Sequence, residues 1–308
     1  MAEHIQIESM PELRNPVLVG AFAGWNDAAT VATSSVRFLI EQWSAPKFAT
    51  LDPEEFYVFS ETRPTVKLVE NAMRALEWPA NDFHYYRDPN LDHDVILFVG
   101  IEPQLKWRTF ARTIVDFARQ CGTTRLVMMG GLIAETLHSR PARLTGSSND
   151  AGLRERLQRL GVQFSRYEGP TGIVGVLHDT CAKNGIAAAS IWGNVPHYIS
   201  ATPNPKISAA ILRRLSDLLE LRLDLLELEE TGRRFDRAVT EAVAKNPNVM
   251  AYIRQMEQQE PESAEDAGPT GETPPPSSPA GPSDLPSADA IIQNLEDLLK
   301  RRREQDDD

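Results

Sequence analysis

Over the first two hundred residues, short continuous apolar runs alternate with stretches of helical period. Pro16–Ala21 (PVLVGA), Asp94–Gly100 (DVILFVG), Arg125–Met129 (RLVMM) and Ala187–Trp192 (AAASIW) are bounded by Pro, Gly or polar residues. Runs of this length and kind read as strands buried on both faces. The Arg125–Met129 strand ends, on this reading, at Gly130-Gly131. Ala28–Gln42 reads as a helix capped by Asn26 or Asp27. Thr109–Cys121 puts Phe110, Ile114, Phe117 and Ala118 on one helical face. Ala151–Leu160 is helical, and Gly169–Lys183 is a loop followed by a helix. Phe48–Leu51 and Glu55–Phe59 read as strands or extended loop. Val66–Leu68 and Ala75–Trp78 can form a hairpin. Buried strands separated by helices pair in parallel, because the crossover helices must cover both faces of the sheet. The pattern therefore predicts a three-layer α/β/α domain with a mostly parallel sheet over residues 1–204.

From Pro205 the period is helical only. Ile207, Ile211, Leu215, Leu218, Leu221, Leu225 and Leu228 form a long stripe, and Gly232 allows a turn. Phe235, Val239, Ala242 and Val243 continue on a second helix, Asn246-Pro247 breaks it, and Val249, Ile253 and Met256 finish the run. This predicts a helical extension over 205–258. Its stripe suits core packing, and its length and Glu/Arg-rich opposite face also suit an oligomer contact. Composition then shifts. Residues 259–287 are rich in Pro, Glu, Ser, Gly and Ala, with Pro274-Pro275-Pro276 at the centre. Such a segment buries too little apolar surface to offset its ordering entropy and reads as a disordered linker. Residues 288–303 follow as an amphipathic helix. An isolated helix this short is marginal in water, so its apolar residues Ile291, Leu295, Leu298 and Leu299 are candidate contacts with the body or with a partner groove.

Charge changes the picture in one respect. The net charge of −12 is concentrated in the tail: residues 259–308 hold 13 acidic and 4 basic residues, against 31 and 28 in the first 258. The folded part is nearly neutral. Neither part carries the clustered Lys and Arg of a nucleic-acid binder or of a polybasic membrane anchor. Cys121 and Cys181 are far apart and read as buried free thiols. The N-terminal residues lack the pattern of a signal peptide, and no apolar run approaches the length of a membrane span. A cytoplasmic protein is the expectation.

Ligands of open parallel sheets bind beyond the carboxyl ends of the strands. Four loops meet that condition: Gly24-Trp25-Asn26-Asp27, Glu102-Pro103-Gln104, Gly130-Gly131-Leu132, and Gly193-Asn194-Val195-Pro196-His197. Gly169-Pro170-Thr171-Gly172-Ile173 precedes a helix, whose first N–H groups can hold an anion. Asn26, Asp27, Gly130, Gly131, Gly169, Thr171 and Gly172 are accordingly the candidate ligand-binding residues. The alternative assigns Asn26 to capping and the glycines to tight turns and close packing. Asp27 and Glu135 follow strand ends, where an acid/base role is conceivable beside a capping or solvated one. No Walker loop, Gly-x-Ser-x-Gly elbow, HExxH or Cys/His spacing occurs. The sequence names no catalytic residue, metal ligand or cofactor.

Phe22-Ala23-Gly24-Trp25-Asn26-Asp27-Ala28, Thr62-Arg63-Pro64-Thr65-Val66, Met129-Gly130-Gly131-Leu132, Gly169-Pro170-Thr171-Gly172-Ile173, and Ser190-Ile191-Trp192 with Val195-Pro196-His197-Tyr198 occur in that order. As an ordered set over about residues 10–220, they resemble the proteasome assembly chaperone 2 family in its bacterial branch. The resemblance implies a fold like that of nucleoside phosphorylases and related hydrolases, and homo-oligomers, trimers in particular. It implies a non-enzymatic assembly or interaction protein, with proteasome subunits among the expected partners. The competing expectation, from the fold, is a small-molecule hydrolase or phosphorylase-like enzyme. Some chaperones of the family dock through a terminus ending hydrophobic–Tyr–any residue. This sequence has Gln305-Asp306-Asp307-Asp308 instead, which shifts the expected contact to the 207–256 helices or the terminal helix.

Overall fold

A computed structural model of the chain describes residues 4–69, 73–164, 166–200 and 202–259. In chain order the strands are β1 (Ile5–Ile7), β2 (Val17–Ala23), β3 (Lys47–Leu51), β4 (Thr65–Val69), β5 (Met73–Glu77), β6 (Asp82–Tyr86), β7 (Val95–Ile101), β8 (Arg125–Ala134), β9 (Leu144–Ser148), β10 (Gln163–Phe164) and β11 (Ala187–Pro196). The helices are α1 (Val31–Gln42), α2 (Trp107–Gln120), α3 (Ala151–Arg159), α4 (Ile173–Lys183), α5 (Pro205–Leu219), α6 (Leu226–Lys245) and α7 (Pro247–Gln259). The linker expected over 259–287 and the helix expected over 288–303, with Ile291, Leu295, Leu298 and Leu299, lie outside the described residues apart from Gln259.

The four apolar runs become the centre of one sheet. Its order is β1-β3-β6-β7-β2-β8-β11-β9-β10. The central β7-β2-β8-β11 block is parallel, as its both-face burial requires. Antiparallel pairs widen it, β6, β3 and β1 on one side and β9 on the other. Strand period two sorts the side chains between two cores. Val17, Val19, Ala21, Val95, Leu97, Val127 and Met129 face α1, α3 and α5, and that layer is almost wholly aliphatic. Leu18, Phe22, Ile96, Phe98, Leu126 and Met128 face α2 and α4, together with Phe48, Phe83, Phe110 and Phe117. Edge-to-face ring pairs lock this second layer, among them Phe22 with Phe98 at 5.1 Å and Phe83 with Phe117 at 4.9 Å.

The helical C-terminal part continues both architecture and core. α5 lies on α1 and β11, with Ile207, Ile211, Leu212 and Leu215 in the aliphatic layer. The long stripe does not make one helix to 228. α5 stops at Glu220, whose φ of 57° ends the helix in the left-handed region. Gly232, expected at a turn, is inside α6. There it lets α6 cross α5 closely, since a Cβ would stand 2.9 Å from Lys206 Cα. Val239, Ala242 and Val243 of α6 and Val249 and Ile253 of α7 then form a third cluster with Leu137, Tyr198 and Ile199.

Other boundaries differ too. Glu55–Phe59 contains turns and no strand. α1 starts at Val31 rather than Ala28, because Ala28–Thr30 is a tight turn with Ala29 and Thr30 at φ 51°. β8 and β11 do not stop at Met129 and Trp192: they stay paired through Ala134 and Pro196. The hairpin forms as β4 and β5, paired Val66 to Leu76 and Leu68 to Arg74. Among the described residues no helix is long and apolar enough to cross a membrane.

Candidate functional site

The turn after β2 organises the carboxyl end of the sheet. Gly24, at φ +117°, bends the chain away from the strand line, and Asn26 and Asp27 return to it. The Asn26 carbonyl accepts Gly131 N–H at 2.8 Å, and Asp27 bridges Gly131 in parallel. Asp27 is 8% exposed. Its Oδ1 accepts the N–H groups of Ala32 (2.8 Å) and Thr33 (3.2 Å), and its Oδ2 accepts the Thr33 hydroxyl. It is thus the anion at the N-terminus of α1, though three residues earlier than the cap position, Thr30. Burial raises its pKa, and the Thr33 and Ala32 hydrogen bonds oppose that rise.

Asn26 serves a second helix. Its Nδ2 donates to Glu102 Oε1 at 2.6 Å, and the same oxygen accepts Ile173 N–H, the first of α4, at 2.8 Å. The glycine-rich segment does present a helix N-terminus to an anion, and that anion is the chain's own Glu102. Asn26 Oδ1 lies against Gly172, where a Cβ would stand 2.3 Å from it. Only glycine allows that contact.

Four of the candidate ligand-binding residues, Asn26, Asp27, Gly131 and Gly172, therefore come together. Gly130 is the preceding residue of β8 and lies on the opposite face of the sheet, against the Trp192 ring. Gly169 and Thr171 stand exposed in the approach to α4. The loops expected at Gly130-Gly131-Leu132 and at Gly193–His197 are strand through Leu132 and Pro196, in the extended β8–β11 pair, and His197 opens a 3-10 turn. A Cβ on Gly131 would meet Ala28 O at 2.7 Å, so these glycines admit neighbouring chain rather than end the strand. Glu102 appeared in the sequence only as part of a loop, and its role depends on partners 76 and 71 residues away.

Beside this cluster, neutral groups fasten the C-terminal helices. Tyr198 Oη accepts His138 N–H at 2.8 Å and lies 2.9 Å from His138 Nδ1, while His138 Nε2 meets Thr240 Oγ1 of α6 at 3.2 Å. Tyr198 donating to Nδ1 and Nε2–H donating to Thr240 satisfies every partner with a neutral imidazole. His197 Nε2 meets Tyr252 Oη of α7 at 2.8 Å. Burial lowers the pKa of both histidines. Lys206 Nζ closes the network on Asp236 Oδ2 at 2.7 Å and on the carbonyls of His138 and Arg140. Glu135 is exposed at the end of β8.

Both cysteines are free, Cys181 buried and Cys121 only half-buried, and desolvation pushes each thiol up to about 12. Among the described residues no three His, Cys, Asp or Glu side chains are placed to hold a metal ion. A groove of about 580 Å³, lined by Arg213, Asp217, Arg222, Leu225, Leu226 and Glu229, lies at the opposite end of the sheet, at the α5–α6 connection.

The carboxyl end also leaves large apolar side chains to solvent. Strand directions put the excursion between β3 and β6, which carries β4 and β5, at this same end. Of the twelve large hydrophobic residues exposed among the described residues, nine lie here: Trp25, Leu105, Ile133, Tyr167, and Val66, Leu68, Val69, Leu76 and Trp78 of the excursion. The carboxyl end of this parallel-centred α/β fold thus combines two helix N-termini closed by the chain's own carboxylates with a set of exposed apolar side chains.

The chain belongs to the PAC2 family, which residues 21–243 match. It is similar in structure to a PAC2 family protein from Streptomyces avermitilis, at 38% identity and TM-score 0.71 over 77% of this chain and 99% of that one. It is also similar to a proteasome-assembly chaperone homologue from Mycobacterium tuberculosis, at 37% identity and TM-score 0.70 over 77% and 99%. The fold extends to PbaB, an archaeal proteasome activator from Pyrococcus furiosus, at 20% identity and TM-score 0.62 over 77% and 97%. No functionally curated protein matches the chain.

Proposed function

We propose that the protein is a non-enzymatic assembly or interaction protein that acts as a homo-oligomer, a trimer in keeping with its family resemblance, and takes proteasome subunits as its partners. The observation that carries this reading is the concentration of exposed apolar side chains at the carboxyl end of the sheet. Monomeric proteins rarely leave a contiguous apolar surface uncovered. Two carboxylates at that end are committed within the chain, Asp27 to α1 and Glu102 to α4. The relatives add direction: one is a proteasome-assembly chaperone homologue and another an archaeal proteasome activator.

The test is affinity capture of the full chain from a native lysate, paired with native gels of proteasome in a deletion strain. Proteasome subunits in the eluate and accumulated assembly intermediates in the deletion strain are the expected results. Absence of every proteasome subunit, with normal assembly after deletion, would overturn the assignment of partner.

A further inference from the structure

The corner between α5 and α6 sets leucines among carboxylates. Leu221 and Leu225 turn inward to the aliphatic core, Leu223 is half-buried, and Leu226 is 72% exposed. Leu223 and Leu226 line the groove of about 580 Å³ together with Arg213, Asp217, Asp224 and Glu229. The corner is fixed to the body: Gln42 of α1 donates to the Asp224 carbonyl at 2.6 Å, and Ser216 Oγ donates to the Leu221 carbonyl at 2.7 Å. Residues 217–230 hold six acidic residues and one basic, the most acidic stretch of that length in the first 258. Part of this charge is answered locally, Glu229 by Arg213, Glu220 by Arg156 and Glu230 by Arg233. Asp224 and Glu227, on either side of Leu225-Leu226, have no ion pair among the described residues.

The sequence of the tail carries the complement. Its predicted helix over 288–303 puts Ile291, Leu295, Leu298 and Leu299 on one face, and a helix this short gains stability by laying such a face in a groove. All four basic residues of 259–308 are Lys300, Arg301, Arg302 and Arg303, directly after that stripe. An acidic groove therefore attracts this end of the tail and repels the acidic remainder. The distance is also right. Near the end of α7, Glu257 stands close enough to His138 to act on its charge, and His138 meets Thr240 of α6. From Thr240 back to Leu226 is fourteen residues of α6, or about 21 Å. The 28 residues from 260 to 287 span about 30 Å on average as a flexible chain, and more where prolines extend it.

We infer that the 288–303 segment docks as a helix in the groove at the α5–α6 corner of its own chain, with Ile291, Leu295 and Leu298 against Leu223 and Leu226, and with the Lys300–Arg303 run beside Asp224 and Glu227. The tether favours this occupant over any free partner of the same chemistry, because it holds the helix near the groove at an effective concentration of about a millimolar. Docking places the tail at the end of the sheet opposite the exposed apolar side chains, so that surface stays open while the tail is bound. None of this depends on what the carboxyl end of the sheet contacts, and a failed proteasome capture leaves it standing.

The experiment uses the full chain. In hydrogen exchange, the amides of residues 221–230 are expected to exchange several-fold faster in Leu295→Glu/Leu298→Glu than in the native protein, with the segment around Trp25 unchanged. Arg301→Glu/Arg302→Glu/Arg303→Glu should act in the same direction through charge alone. Raising NaCl to about 1 M, where screening sets in within about 3 Å, should speed exchange at the corner in the native protein and not in the leucine variant. Crosslinking identifies the occupant. Treated with a short bismaleimide, a Leu226→Cys/Leu298→Cys chain is expected to close within one chain, faster than a Trp25→Cys/Leu298→Cys chain, whose first cysteine lies at the other end of the sheet. Equal exchange at the corner in the native protein and the leucine variant, equal crosslinking at the two ends, or a crosslink formed only between chains, which would put a second copy's tail in the groove, would each overturn the inference.

Discussion

Two buried polar clusters fasten the same end of the sheet by opposite means. The first, around Asn26, Asp27 and Glu102, uses carboxylates and aims them at the N-termini of α1 and α4. The second, around His138, His197 and Tyr198, uses neutral rings to hold α6 and α7. The difference follows from what each cluster faces. Backbone N–H groups and the positive end of a helix dipole stabilise a buried negative charge. The middle of α6 and of α7 offers a hydroxyl and a phenol, which satisfy an uncharged imidazole and penalise a charged one. At Asp27 the cost of burial still outweighs the helix contacts. This end of the sheet is therefore weakened from both sides, at Asp27 by charging with base and at the histidines by charging with acid.

The largest effect should come from breaking the first cluster at its shared atom. Glu102→Ala strands both Asn26 Nδ2 and Ile173 N–H. It should cost roughly 3 kcal/mol in chemical denaturation, at one to several kcal/mol for buried polar groups left without a partner. Glu102→Gln keeps a carbonyl acceptor and should recover part of that loss. Equal losses for the two variants would mean that the carboxylate's charge, and not its acceptor oxygen, holds the helix.

Acid should attack the histidine side. Burial depresses the pKa of His138 and His197, and pushes that of His178, on α4, down to about 4. A histidine held below its unfolded value of 6.5 binds fewer protons when folded. Its contribution to stability is complete above pH 6.5 and is lost as pH falls toward the folded pKa. For His178 alone that amounts to about 2–3 kcal/mol between pH 6.5 and 4. Thermal melts from pH 7 to pH 4 should show this fall, and His178→Gln should flatten it.

Asp27 should behave with the opposite sign. Its pKa is raised above 3.8 by burial, so the folded state binds the extra proton, and stability falls as pH rises through that window. Asp27→Asn keeps an acceptor for Ala32 and Thr33 and removes the buried charge. It should match or exceed the native melting temperature at pH 7, while Asp27→Ala loses the helix anchor and about 1–2 kcal/mol. The smallest effect should be Tyr252→Phe, which removes one hydrogen bond from α7 to His197 and about 1 kcal/mol. Its mark should be faster hydrogen exchange in α7, with the central strands unaffected.

How much of this was legible depends on sequence distance. The central strands were, because burial on both faces writes an unbroken apolar run into β2, β7 and β8. The helices of the body and the hairpin were legible from their own periods. Strands β1, β9 and β10 were not: LTGSS and QF are too short or too polar to carry a period. Gly130 and Gly131 misled the reading. Glycine in a strand commonly signals an end, and here it signals close approach by Trp192 and by the turn after β2. Gly232 misled for the same reason, with Lys206 as the neighbour. Of the candidate site, Asp27 could be placed as the anchor of the first helix, while Asn26, read as the alternative cap, instead donates to Glu102. Glu102 could not be assigned to α4, because nothing local distinguishes it from other carboxylates in loops. The apolar rim was equally hidden, since exposed side chains from five separate segments gather only once the sheet is built.

The two thiols have a consequence for handling the protein. Burial raises both thiols well above their usual range, and since the thiolate is the reactive form, Cys121 and Cys181 should react slowly with alkylating dyes and mild oxidants. The native chain offers an almost blank background for cysteine chemistry, and a single cysteine placed on its surface would be the one that reacts.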